Sequence, residues 1–428
     1  MNVTTARGAL VLLTAATLAA TVTAPARAVT VGPIKKLGTG AWTWFSEPRA
    51  VQIADTTVTG WVSTYGSVIV ASYRETAGQV VTYNLHPRLN YDDHANPSLY
   101  LRRDGKITAF YSAHAGRNLY HRTTTGPGTN VTAWTAERTI GTNTTGPYGY
   151  TYSNPVWSPG ESKLYLFWRG GSFLPTYATS GDEGASWAPA RTLMLDNDSA
   201  AMRPYVKYTS RNGVIHMTYT QAHPRDRKTS IFYLRYTPGV GWQRIGGALA
   251  GGDGTPPFIP QDGDRVWNAW SYPGDERSWV HDIAVDAEDK PVIVFATFRA
   301  SENYKRHWYW YARWTGSRWF LKRLVYAGPP ISGAPELQYS AGISLDQENP
   351  SIVYLSRKPP EWGVFKVEVW VTTDKGTTWA PPVLVERGIR PVSPRRDPST
   401  TVTRVLYLQG HYGSYTTYTT EVRIAGLR

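Results

Sequence analysis

Apolar residues along the chain come in short runs bounded by turns, and the runs repeat. Each unit is a turn, a strand-length apolar run and a closing polar or basic residue: DGKITAFYSAH (104–114), SKLYLFWRGG (162–171), NGVIHMTYTQAH (212–223), DKPVIVFATFRA (289–300), NPSIVYLSRK (349–358) and TRVLYLQGHYG (403–413). TGWVSTYGSVIVASY (59–73) is an earlier, less regular copy. Helical periodicity is scarce, whereas Val, Ile, Thr, Tyr and Trp dominate the runs, which predicts strands. Short strands inside a period of about 50 residues predict an all-β fold, a β-propeller. Seven copies predict seven blades in a single domain over 29–428; six blades is the alternative, because the first copy is irregular. The longest gap between copies, about 243–288, is rich in Gly and Pro and predicts an extended loop.

A second repeat lies on the first. Ser180 to Trp187 (SGDEGASW) and Thr372 to Trp379 (TTDKGTTW) fit the Asp-box pattern S/T-x-D-x-G-x-S/T-W, with weaker relatives ending in Trp134, Trp242 and Trp319. In such a turn Asp accepts backbone N–H bonds, Gly takes the positive φ, and Trp folds back over the hairpin. These boxes mark blades and carry no chemistry.

The N terminus follows a different pattern. Arg7, an apolar stretch from Ala9 to about Val22, and Ala26-Arg27-Ala28 read as a secretory signal peptide over 1–28. The mature protein is therefore expected to be secreted and not membrane-bound, since no later apolar run is long enough to span a bilayer. The chain has no cysteine, which excludes disulfides and thiolate metal sites. Its net charge is +13, two of which lie in the leader, and this predicts a polyanionic partner. Outside a cell that partner is an acidic polysaccharide rather than nucleic acid. Trp 18 and Tyr 28 are both high counts, suited to sugar faces and to outer propeller strands alike. No HxH, HExxH or EF-hand spacing occurs, so no metal site is predicted. No cofactor is required; calcium in a blade loop could be structural, but the sequence does not localise it. A propeller is expected to be a self-sufficient monomer.

Equivalent positions in propeller repeats converge on one face. The residues closing the repeats are His114, Arg169, His223, Arg299, Arg357 and His411, all basic or imidazole. A channel mouth lined this way would focus field on an anion. The segments preceding three successive copies are also alike: YDDHANP bears His94, YTYSNP bears Tyr152, and RPY bears Arg203 and Tyr205. Each pairs a residue before one strand with a basic residue after the next.

These segments carry a family resemblance. DDHANP with a second His twenty residues on, TYSNPV followed by FWRGG, RPYVKY followed by QAHPR, YSAGISLDQENP, and WTWFSEPRAV near the mature N terminus resemble the BNR-repeat propeller family that includes ulvan lyases and rhamnose–glucuronate lyases. The resemblance covers nearly the whole mature chain. It implies a seven-bladed propeller that cleaves uronate-containing glycans by β-elimination. Some members hold a structural zinc partly through cysteines; that site does not carry over. A rhamnosidase-like branch leaves reaction type less fixed than fold.

β-Elimination needs the uronate carboxylate neutralised, a base for the C5 proton and an acid for the departing O4. Arg169 can give the carboxylate a bidentate fork. His94 is expected as the main proton-transfer residue with Tyr152 as partner, which of them is base staying open. His114 would help neutralise the carboxylate or orient His94. Tyr205, His223, Arg203, Arg299, Arg357 and His411 are expected to bind substrate. Other readings compete. A glycoside hydrolase would need two carboxyl groups, and Asp92 and Asp93 are expected instead to fix a turn or orient His94. A sialidase-like site would need an arginine cluster, for which Arg49, Arg169 and Arg203 are candidates, but no FRIP-type segment is present. A non-catalytic propeller binding acidic glycan is the third reading.

Overall fold

The computed structural model describes Met1 and residues 29–195, 203–397, 400 and 402–428. The leader expected over 1–28 lies outside the described residues, Met1 apart. The described strands form seven sheets, antiparallel except where Arg395–Arg396 runs parallel to Ala50–Ile53, each a blade of a β-propeller, joined by turns and single 3-10 turns. Blades 1 to 6 run in chain order. Their innermost strands are Ala50–Ile53, Ser98–Leu101, Thr151–Ser158, Tyr205–Arg211, Glu276–Val285 and Ile343–Leu345. Blade 7 is built from both ends of the chain: Ile389–Val392, Thr403–Ser414 and Thr417–Leu427 are completed by Val31–Thr39 as outermost strand. This closure locks the ring by pairing the two ends of the chain in one sheet, and the blades are left with only short edges.

The apolar runs read from the sequence are the second strands: Ile107–Ser112, Lys163–Arg169, Val214–Thr220, Pro291–Arg299, Ile352–Arg357 and Thr403–Ser414. They are nearly continuous in burial because neighbouring blades cover both faces. The irregular first copy spans the second and third strands of blade 1, Thr56–Val62 and Val68–Arg74. The Gly/Pro-rich stretch is an excursion after blade 4 that returns one strand, Asp264–Trp267, to the edge of that blade's third strand.

Both Asp boxes are tight turns between third and fourth strands. Asp182 accepts the Ser186 N–H at 2.8 Å and Asp374 the Thr378 N–H at 2.8 Å. Gly184 and Gly376 have φ of +96° and +94°, which suits glycine. Trp379 packs edge-on to Tyr311 at 5.2 Å.

The central channel is plugged by the chain itself. After the closing strand, Ala41 to Arg49 cross the hub (AWTWFSEPR). Trp42, Trp44 and Phe45 are buried there, and Trp44 meets Trp279, His281 and Tyr339 with centroids 4.9, 5.0 and 5.3 Å away. Burying each such ring contributes roughly 1.5–3 kcal/mol. Lys207 donates to the Trp44 carbonyl and, at 2.8 Å, to Glu47, which also pairs with Arg49 at 2.7 Å. The plug floors one end of the channel.

Candidate active site

Strand direction decides which residues meet. A turn joining a second strand to a third lies on the same face as the segment leading into each inner strand, so those two sets of residues face one another. In blade 2, Asp92 caps the single turn Asp93–Ala95, accepting the His94 N–H at 2.9 Å. That cap turns the His94 ring back on its own cap. His94 Nδ1 donates to Asp92 Oδ1 at 2.6 Å and His114 Nδ1 to Asp92 Oδ2 at 2.8 Å. The His114 backbone N–H is fixed by Asn90 Oδ1 at 3.0 Å. Asp93 lies 3.1 Å from His94 Nδ1 and is held by Arg390 and, at 2.6 Å, by the Tyr412 hydroxyl.

Blade 3 supplies the next pair. The strand bulges between Thr151 and Asn154, and Tyr152 sits in the bulge with φ of +61°. A non-glycine residue there costs on the order of 1–3 kcal/mol, and a bulge re-aims a side chain. The Tyr152 ring stands 5.4 Å from His94, and the Arg169 guanidinium lies over it at 4.6 Å. Arg169 is 6% exposed, yet among the described residues it has no carboxylate partner. Among the described residues its only hydrogen bonds are long ones to Tyr205 Oη and Thr151 Oγ1, both 3.4 Å, and its Nε is unpaired. A buried unpaired cation is costly and asks for an anion.

Blade 4 brings Tyr205 and His223 together at 5.3 Å. His223 Nδ1 accepts the Arg225 N–H at 3.1 Å, which places the proton of the neutral ring on Nε2. Arg203 stands over Phe173 at 5.3 Å, 3.7 Å from Asp226, with Nε unpaired. The plug links the second and third pairs, since Phe45 packs on both Tyr152 and Tyr205 at 5.2 and 4.9 Å.

Electrostatics separate the two stacked histidines. Burial disfavours charge on His94, but Asp92 and Asp93 outweigh it and lift its pKa to about 9. Burial, then the charge on His94, lowers His114 to about 4, with Asp92 opposing. His94 is therefore an imidazolium at neutral pH and His114 a neutral ring whose Nε2 can accept. Burial would raise Asp92, but the two imidazoles hold it well below the carboxylate range. Burial keeps the Tyr152 phenol protonated, only partly opposed by Arg169. Burial and then Arg203 and Arg225 keep His223 neutral.

The equal-offset expectation thus reaches blades 2 to 4 and stops. Arg299 is bound by Glu276 at 2.8 Å and Glu302 at 3.1 Å, and Arg357 by Glu368 at 2.8 Å, so their charge is already spent. His411 is exposed on the long blade 7 hairpin, one residue out of phase. From that hairpin it is Tyr412, on Asp93, and Tyr415, edge-on to His94 at 5.1 Å, that reach the cluster. Arg49 is locked beneath the plug by Glu47, so the three arginines weighed for a sialidase-like site do not share one role. Sequence reasoning missed Phe173, Tyr415, Arg390 and the plug; only the aromatic density of WTWF hinted at any of them.

Asp92, His94 and His114 are the one cluster among the described residues compact enough for a cation. Both Nδ1 atoms already donate to Asp92, so a metal would have to displace those bonds. A separate cavity of about 270 Å³ opens at the opposite end of the channel, lined by Glu47, Asn154, Asp282 and Arg395 among others, away from the histidines.

Residues 56–325, blades 1 to 5, match the family described as BNR repeat-containing family member. The chain belongs to that family. Two structures of a PL25 polysaccharide lyase, an ulvan lyase, one bound to -[GlcA(1-4)Rha3S]-, are similar to this BNR-repeat protein over 90% of its chain and 93% of theirs, at TM-score 0.67 and 14% identity. A puromycin hydrolase is similar over 87% of this chain and 53% of its own, at TM-score 0.50 and 13% identity. At such identities the likeness speaks for the BNR-repeat propeller fold alone. No curated protein matches.

Proposed function

We propose that this protein is a secreted polysaccharide lyase that cleaves an acidic, uronate-containing glycan by β-elimination. The observation that carries the reading is Arg169: a buried guanidinium without a carboxylate of its own, beside a neutral imidazole, an imidazolium and a phenol. A uronate carboxylate pairing with Arg169 would satisfy that cation and acidify the C5 proton. His114, more open than His94 at 29% against 5% side-chain exposure, accepts that proton on Nε2. The C5 electrons form the C4–C5 double bond as the C4–O4 bond breaks, and O4 takes the proton of the Tyr152 hydroxyl. His94 supplies fixed positive charge and, through Asp92, holds His114 in the accepting tautomer. The sequence left the base open between His94 and Tyr152; this reading gives the role to neither but to His114, because two acids share His94 and one oxygen serves His114.

The carboxylates support elimination over a two-carboxyl hydrolysis. Asp92 is consumed by two imidazoles and Asp93 by Arg390 and Tyr412, so neither can protonate a leaving group. The ulvan lyase neighbours bear on substrate class as analogy. The test is incubation with ulvan, gum arabic and pectic glycans under ultraviolet absorbance. Elimination makes a conjugated unsaturated uronate that absorbs. New reducing ends without absorbance would mean hydrolysis, and neither signal with retained binding would mean a lectin-like propeller.

A further inference from the structure

Four aromatic side chains are strongly exposed among the described residues: Tyr65 at 81%, Trp270 at 60%, Tyr148 at 46% and Tyr91 at 44%. All four sit on loops of the face that carries His94 and His114, and no aromatic side chain on the opposite face is as exposed. Single exposed apolar residues need no explanation, but exposed rings gathered on one face around a site mark a binding surface.

Three of these loops, those of Tyr91, Tyr65 and Tyr148, are tied to the reacting groups. Tyr91 directly precedes Asp92 and stacks on buried Tyr418 at 5.6 Å and 7°. Tyr65 is held out by its turn: Ser63 Oγ accepts the Tyr65 and Ser67 N–H groups at 3.3 and 3.1 Å. The Gly66 carbonyl then accepts the Asn90 N–H at 3.1 Å, and Asn90 in turn holds His114. A Cβ on Gly66, at φ of +76°, would stand 3.0 Å from the Asn90 and Tyr91 backbone, so glycine permits this close approach. On the other flank Tyr148 stacks on Phe173 at 3.6 Å, and Phe173 stacks on Arg169 at 4.6 Å. One flank is thus anchored to His114 and the other to Arg169.

We propose that this face binds an extended acidic glycan across the histidine pair, with Tyr91 and Tyr65 as sugar platforms on one side of the cleaved linkage and Tyr148 on Phe173 on the other, so that cutting is internal. The inference rests on the uronate-lyase reading. A glycan bound on both sides of the reacting atoms leaves no wall to define a chain end, and amphipathic rings suit the C–H faces of successive sugars.

Native electrophoresis in gels containing ulvan, gum arabic or polygalacturonate tests binding without turnover. The wild type is expected to be retarded by at least one polymer, and Tyr65→Ala and Tyr91→Ala each to weaken that retardation about tenfold in apparent Kd. Tyr65 is so exposed that its removal does not endanger folding. Equal retardation of wild type and both variants overturns the platforms while leaving the lyase reading standing. No retardation of the wild type by any of the three overturns both. Chromatography of an early digest supplies the second arm: a falling mean chain length supports internal cutting, whereas short products beside full-length polymer overturn it.

Discussion

The His94 and His114 rings lie face to face, centroids 4.1 Å apart and planes within 3°, each anchored by Nδ1 to a different oxygen of Asp92. Two imidazolium ions could not share that geometry, so the pair holds one proton beyond neutrality across the neutral range. Asp92→Asn removes the second acceptor oxygen and the charge that stabilises the cation. A loss of about 10²–10⁴ in kcat is expected with the fold retained, and steady-state kinetics beside circular dichroism check it. Near-normal turnover would remove the shared-acid arrangement from the mechanism.

The stacked pair also sets a pH profile. His114 must be neutral and His94 protonated, so kcat/KM should form a plateau with limbs near 4 and 9 that belong to the pair. In His94→Gln the neighbouring cation is gone, and the acid limb should move upward toward an ordinary histidine. An unmoved acid limb would show that His114 is not coupled to His94.

Arg169→Lys should cost about 10²-fold or more in kcat/KM, because an ammonium cannot span the carboxylate as a planar fork does. The glycan-dependent absorbance assay reads this directly. If the lysine variant works normally, the carboxylate is held by another cation, Arg203 being the nearest alternative across Phe173.

Acid should begin to destabilise the protein above the pH at which ordinary carboxylates titrate. Burial lowers His121 to about 4 and His216 and His307 to about 3, in each case as the leading cause. Their unfolded values lie near 6.5, so below that pH the unfolded chain binds protons that the folded one refuses. Stability therefore falls as pH drops from about 6.5 toward 3–4, by roughly 3–5 kcal/mol per group at most. Thermal melts at pH 7, 6, 5 and 4 should show the midpoint declining through this window. A flat series would mean these rings are not buried neutral.

Blade number, the position of each second strand and the structural nature of the Asp boxes were legible in the chain, because strand periodicity and turn chemistry are local properties. The pairing of His94 with His114, Tyr152 with Arg169 and Tyr205 with His223 was legible too, since strand direction brings those offsets to one face. Charge state was not: whether Arg299 and Arg357 are free depends on Glu276, Glu302 and Glu368, acids that sequence spacing does not place beside them. Nor could spacing show that Trp44 and Phe45 floor the site from the far end of the chain, or that Tyr412 rather than His411 reaches Asp93. The sequence by itself determined a propeller and which residues stand at its blade ends. The tertiary structure decided which of those residues keep an unpaired charge or a free nitrogen, because desolvation and ion pairing depend on which side chains come to lie beside them across neighbouring strands and blades.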